Sequence, residues 1–123
     1  MSLVARALEA DGIPTVITGS ARDIVEHCGV PRYLFTDFPL GNPCGPPYDR
    51  TAQAAIAAQA LDLLESATGP RTTVQAPQVW PGGEGWRPVY NYIGPENREA
   101  LKDEGDARRV RQAADKRGAA AAS

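Results

Sequence analysis

The proline- and glycine-rich segment 39–48 constrains the fold most, because it separates two stretches of different periodicity. Before it, residues 32–38 are rich in the aromatic and β-branched types that favour a strand. After it, Asp49 is a suitable N-cap for a helix predicted over 50–67, where alanine and leucine recur every three or four residues. Prolines stiffen such a loop and glycines let it turn sharply. The sequence therefore predicts a strand, a stiff loop and a long helix.

The residues before this unit predict a helix and a short strand. Residues 2–11 have helical periodicity, and Gly12 is a suitable C-cap. The inner face of this helix is predicted to contain Leu3, Val4, Ala7 and Leu8. Residues 15–18 form a β-branched run that is too short for a helix, so we expect a buried parallel strand there.

Two further elements complete the predicted pattern. A helix over 20–28 is expected to begin with a capping box made by Ser20 and Asp23. Its inward residues are predicted to be Ile24, Val25 and Cys28. Residues 72–75 predict a third strand, which Pro77 restricts to the edge of the sheet.

This alternation predicts an α/β fold with a small, mostly parallel sheet flanked by helices, similar to half of a Rossmann fold. The rule of right-handed crossovers places the strands near 14–18 and 32–38 side by side, with the 20–28 helix between them. No strand precedes the first helix, so the chain reads as the second part of a larger α/β unit. We divide it into an α/β domain, 1–76, and an extended arm with a charged helical tail, 77–123.

The arm is marked by its aromatic content. Residues 79–93 contain both tryptophans and two of the four tyrosines, without a regular period. Large aromatic side chains are costly to leave in water, so the arm is expected to pack either on its own domain or on a neighbouring subunit, and we favour the neighbour. Residues 96–117 mix both charge signs densely and predict a solvated helix that Gly105 could break.

Composition argues against several classes of protein. A formal net charge of −2 gives no reason to expect a nucleic acid or a membrane as partner. Cys28, Cys44 and the single histidine, His27, fit neither a disulfide scaffold nor a zinc motif, so no metal is expected. No glycine-rich nucleotide motif is present, and we expect no cofactor. The chain is expected to be a reduced, cytoplasmic protein.

The candidate site lies in the loop after the second strand, because ligands of open α/β sheets bind beyond the carboxyl ends of the strands. Cys44 and Asp37 are the candidate catalytic residues, and Asn42, Gly41 and Gly45 are the candidate substrate-binding residues. The same segment could instead be a rigid structural turn, in which Asp37 bonds to its own backbone.

Three segments resemble a known family. They are VARALEADGIPTV at 4–16, DFPLGN at 37–42 and the helix at 53–65. Together they resemble the C-terminal part of the selenoprotein B subunit family of glycine, sarcosine, betaine and D-proline reductases, including its small cysteine-only relatives. The resemblance covers roughly residues 3–68 and does not extend beyond Pro77.

The resemblance implies reductive cleavage of a C–N bond in an amino acid or its N-methylated derivative, with thiol reductants regenerating the enzyme. The family's redox residue lies upstream of the matched part and has no counterpart here. The resemblance therefore implies an oxidoreductase subunit that is not active alone. Its site for a small-molecule substrate would be completed by a second subunit, or by a second copy of the chain. The alternative is a non-catalytic binding or assembly module that has kept the α/β scaffold.

Overall fold

The computed structural model describes residues 1–90 and 92–121. The chain divides into two compact units, the first ending at Tyr90 and the second following it. The elements of the first unit are α1 (Ser2–Ala10), β1 (Ile17–Gly19), α2 (Arg22–Cys28), β2 (Arg32–Phe35), α3 (Arg50–Ser66), β3 (Thr72–Gln75) and a 3₁₀ turn (Gly83–Trp86). The second unit contains α4 (Arg98–Ala121).

The three strands form one parallel sheet in the order β1-β2-β3. Tyr33 at the centre of the sheet lies opposite Ile17 on one side and Thr73 on the other. The small parallel α/β sheet predicted from the sequence is therefore confirmed. The adjacent parallel pairing of the first two strands is confirmed as well, and so is the position of 72–75 at the sheet edge.

Helices cover both faces of this sheet. Leu34 packs with Ile56 and Leu63 of α3 on one face. On the other face the guanidinium of Arg22, in α2, lies 5.6 Å from the centre of the Phe35 ring. The connection from β1 to β2 through α2 and the connection from β2 to β3 through α3 cross the sheet in the same direction. Because their helices lie on opposite faces, the two connections have opposite hands. The right-handed rule that we applied to the α2 crossover thus cannot hold for both connections.

The core lies between the sheet and α3. Its buried members are Leu34, Phe38, Ile56, Ala60, Leu63 and Ala76, with Val16, Ala67 and Trp80 packed against them. The predicted N-cap of α3 is confirmed, because the Asp49 carboxylate accepts a hydrogen bond of 3.0 Å from the backbone N–H of Ala52. Full burial of each large aliphatic side chain stabilises the fold by about 1.5–3 kcal/mol.

The predicted inward faces of the two short helices are partly wrong. Leu3 and Val4 of α1 are 70% and 53% exposed, and Ile24 of α2 is 62% exposed, whereas Ala5 is buried. A three-stranded sheet is too narrow to cover both helices fully. In α1, only the small side chain of Ala5 is close enough to the rest of the unit to be buried.

The first strand and the second helix begin later than predicted. Thr15 does not extend β1, because its N–H donates to the Glu9 carboxylate at 2.6 Å. The expected capping box is absent from α2, which has Ala21 at its N-cap without a side-chain hydrogen bond. The hydroxyl of Ser20 instead lies 3.3 Å from that of Thr36, in the segment after β2.

Strand β2 ends three residues earlier than the predicted 32–38, at Phe35. The N–H of Phe38 donates to the carbonyl of Thr36 at 2.9 Å, and this tight turn removes both groups from the ladder. The turn directs Phe38 into the core below α3.

The second unit begins with a turn in which the N–H of Gly94 donates to the side chain of Asn97 at 2.7 Å. Helix α4 then runs from Arg98 to Ala121 without the break considered at Gly105. One residue of the predicted arm, Asn91, lies outside the described residues. Among the described helices, none is both long and apolar enough to span a bilayer.

Candidate functional site

The candidate loop, 39–48, lies beyond the carboxyl edge of the sheet. Because the strands are parallel, their carboxyl ends at Gly19, Phe35 and Gln75 share one edge. The loop leaves this edge from β2 and returns to Asp49 at the start of α3. This is the edge at which α/β proteins bind ligands.

Side chains of the first unit hold two carbonyl groups of the loop. The hydroxyl of Thr36, which is fully buried, donates to the carbonyl of Pro43 at 2.9 Å. The side-chain amide of Gln53, in α3, donates to the carbonyl of Pro46, also at 2.9 Å. The loop is therefore fixed both to the end of β2 and to the first turn of α3.

The arm holds the other side of the loop. The hydroxyl of Tyr90 donates to the carbonyl of Leu40 at 3.3 Å. The Trp80 ring lies 5.4 Å, centre to centre, from that of Phe38, and Trp86 meets Tyr90 edge-to-face at 5.7 Å. The arm therefore packs on its own unit up to Tyr90, which differs from the neighbouring subunit that we favoured. Four apolar side chains of the arm remain exposed, namely Val79, Val89, Tyr92 and Ile93.

Two of the predicted binding residues shape the backbone of the loop. Gly41 and Gly45 have φ values of 95° and 107°, in a region that other residues rarely adopt. A side chain on Gly45 would also have its Cβ 3.5 Å from that of Ala52. Asn42 accepts a backbone hydrogen bond of 3.1 Å from Gly45. The positive φ values give a conformational reason for the two glycines that is independent of any ligand.

Cys44 is exposed at the surface of this loop, whereas Cys28 at the end of α2 is half-buried. Tyr48 is 98% exposed and has a φ of 65°, so the loop also holds a large aromatic residue in the left-handed region. A thiol and an aromatic ring are thus both accessible in a segment whose backbone is held by hydrogen bonds.

Asp37 forms an ion pair with Arg87, from the arm. The guanidinium of Arg87 lies 5.0 Å from the Trp86 ring centre and 3.2 Å from a carboxylate oxygen of Glu84. Sequence reasoning missed Arg87. One feature of the sequence could have indicated its role, because Arg87 is the only basic residue between positions 77 and 93.

A second charged pair, formed by Glu9 and Arg32, lies at the opposite, amino-terminal edge of the sheet. The N–H of Thr15 lowers the pKa of Glu9, and this effect outweighs the raising effect of burial. Arg32 lies 2.6 Å from the same carboxylate and lowers the pKa further. Glu9 and Arg32 line a cavity there with Pro31, Ala67, Thr68, Gly69 and Pro70.

Tyr33 is a buried tyrosine in the centre of the sheet. Burial raises its pKa to about 12, and the negative charge of Glu26 adds to the effect. Its hydroxyl donates to the carbonyl of Gly19 at 3.0 Å. Tyr33 therefore acts as a neutral structural donor.

Four of the predicted site residues, Gly41, Asn42, Cys44 and Gly45, lie in loop 39–48, while Asp37 precedes the loop and pairs with Arg87. Within the described part of the chain, no three His, Cys, Asp or Glu side chains are grouped so that they could hold a metal ion. No family model, no curated protein and no solved structure matches the chain.

Proposed function

We propose that this chain is one subunit of a thiol-dependent reductase, and that loop 39–48 forms part of an active site completed by a partner chain. The observation that carries the proposal is the exposed Cys44 in a loop held by side chains from three segments. A thiol that is accessible and fixed in place can react with a second thiol. The resemblance of residues 3–68 to the selenoprotein B subunit family supports the same function.

In this function, Cys44 and a thiol of the partner chain reduce a small substrate. The two thiols are oxidised to a disulfide and release two electrons and two protons. These convert a C–N bond of the substrate into one C–H and one N–H bond. A dithiol reductant restores both thiols by disulfide exchange. In this function, Asn42 and the Asp37–Arg87 pair bind polar groups of the substrate.

Two surface features support the need for a partner chain. Within the described residues, β1 has a strand neighbour on one side only. Leu3 and Val4 of the adjacent helix expose most of their apolar surface. Native proteins usually cover such sheet edges. A partner that covers this region is expected to leave the carboxyl edge open to substrate.

The test uses the complex that co-purifies with the tagged full chain from its native source. We expect Cys44→Ser to abolish dithiol-dependent amine release from a small N-substituted amino acid, and the matched Cys28→Ser variant to keep it. Alkylation of the free chain under native conditions should modify Cys44 faster than Cys28. A Cys44→Ser complex with full activity would refute the catalytic role of the thiol.

A binding or assembly module is the second candidate, and the exposed apolar residues of α1 favour it. A complex that forms normally but shows no thiol dependence in either variant would support this function. We place the protein in the cytoplasm, where unpaired cysteines such as Cys28 and Cys44 stay reduced.

A further inference from the structure

Helix α4 is a long helix whose surface is exposed on all sides within the second unit. From 98 to 115 every residue is exposed except Gly105, which is half-buried. Val110 is 70% exposed and Leu101 is 42% exposed. An isolated helix that is polar on most of its surface is only marginally stable in water, so its stability depends on a packing partner or on charge pairs.

One narrow stripe of α4 is apolar except at one position. Ala100, Ala107, Val110 and Ala114 follow the spacing of a heptad repeat, in which the first and fourth positions share one face. Asp103 occupies the remaining fourth position. Because alanine is small, two helices that meet along this stripe can approach closely.

The charges of α4 are divided along its length. The first half is mainly acidic, and its charged residues are Arg98, Glu99, Lys102, Asp103, Glu104 and Asp106. The following part is mainly basic, and its charged residues are Arg108, Arg109, Arg111, Asp115, Lys116 and Arg117. A parallel pair would place like charges side by side, whereas an antiparallel pair places the acidic half of each helix beside the basic half of the other.

We propose that α4 pairs antiparallel with α4 of a second copy of this chain, around a two-fold axis near residues 108 and 109. In this register Ala107 packs against Val110 of the second copy, and the reverse contact follows from the symmetry. Glu104 and Arg111 then lie at the same edge of the two helices, so each Glu104 is beside Arg111 of the second copy. Such edge pairs fix the partner and the orientation of paired helices.

The division of charge along α4 indicates that a second copy of the chain packs on this stripe. Glu104 and Arg111 lie two turns apart on one edge of the same helix, so within a single chain they do not pair with each other. With an antiparallel second copy, each Glu104 pairs with Arg111 of the other copy, so two such pairs form. The proposal does not depend on the proposed reductase function, because loop 39–48 and Cys44 take no part in the contact.

The test is sedimentation equilibrium of the full chain over a range of concentrations. Arg111→Glu should weaken dimerisation about tenfold or more, since it places two glutamates together at both ends of the contact. Adding Glu104→Arg to this variant restores the pairing and should return the dissociation constant to within about threefold of the original. Lys102→Glu makes the same charge change on the outer face and should leave it unchanged.

A second pair of variants tests the apolar layer. Val110→Asp should abolish the dimer, and Leu101→Asp, on the other side of the helix, should keep it. Circular dichroism of each variant checks that α4 still forms. A chain that stays monomeric at every concentration, or a dimer that is unaffected by Arg111→Glu and by Val110→Asp, would overturn the proposal.

Discussion

Asp37 lies just after a strand of the parallel sheet, which is a typical ligand-binding position, and the structure shows that it is paired with Arg87. The ion pair is partly exposed, with 42% of the Arg87 side chain and 36% of the Asp37 side chain open to solvent. Asp37 shares this guanidinium with Glu84, which lies 3.2 Å from it. A molecule that reaches this carboxylate therefore meets a cluster of two carboxylates and one guanidinium, and not an isolated negative charge.

Replacing Arg87 should loosen the arm with little effect on stability. For Arg87→Gln we expect a loss of about 0.2–1 kcal/mol in the free energy of unfolding, because partly exposed ion pairs contribute this much. Urea titration followed by tryptophan fluorescence measures it. The combined tryptophan emission of the folded variant should shift to the red, since Trp86 loses the stacked guanidinium. Arg109→Gln removes a comparable exposed pair in α4 and is the control. An unchanged emission would show that Arg87 does not hold the arm.

Glu9 gives the fold a predictable response to acid. Because the pKa of this carboxyl is lowered in the folded state, its charged form stabilises the fold above pH 4.5, the unperturbed value. The stabilisation is lost as the pH falls through the lower pKa of the folded protein. We expect Glu9→Gln to be less stable than the wild type at pH 7, and the difference to shrink towards pH 3.

Chemical unfolding at several pH values measures this difference. Glu65→Gln, an exposed position in α3, is a matched control that should show no such trend. A stability difference that is the same at pH 7 and pH 3 would mean that Glu9 acts through packing and not through its charge.

Helix α3 depends on its N-cap. Asp49→Ala should cost about 0.5–2 kcal/mol of stability, because the N–H of Ala52 loses its partner. Asp49→Ser keeps an oxygen that can accept this hydrogen bond and should restore most of the loss. Thermal unfolding of both variants measures the effect. Equal stability of the alanine and serine variants would show that the cap contributes nothing.

The sequence predicted those elements whose determinants are local. Asp49 and the residues 72–75 were assigned correctly because a capping residue, a β-branched run and a following Pro77 act over a few positions. Ser20 was assigned incorrectly because Thr36, sixteen residues later, draws its hydroxyl away from the helix.

The same limit applies to the candidate site. The loop with Asp37 and Cys44 could be placed at the end of a strand from local patterns alone. Arg87 is fifty residues from its partner in the sequence, and no periodic pattern connects the two. The exposed face of α1 was missed for a related reason. An apolar stripe indicates that something covers a helix, but it does not say whether this is the same chain.

At the scale of the whole molecule, the boundary of the first folded unit can be tested by truncation. Composition changes at Pro77, yet Trp80 packs on Phe38 and Tyr90 bonds to Leu40. We expect a chain that ends at Tyr90 to unfold cooperatively, with nearly the stability of the first unit in the full protein. A chain that ends at Ala76 loses the Trp80 ring from the core and should be at least about 2 kcal/mol less stable, or insoluble.

Trp80→Ala in the chain that ends at Tyr90 separates the packing of this ring from the other contacts of the arm. It should account for most of the difference between the two truncated chains, because Trp80 is the arm residue that joins the core, while the Arg87 pair and the Tyr90 hydrogen bond lie nearer the surface. Equilibrium unfolding in urea, followed by far-ultraviolet circular dichroism, measures all three chains with the same probe. If the chain ending at Ala76 is as stable as the chain ending at Tyr90, the α/β domain ends where the composition changes. The arm would then be free to bind another molecule.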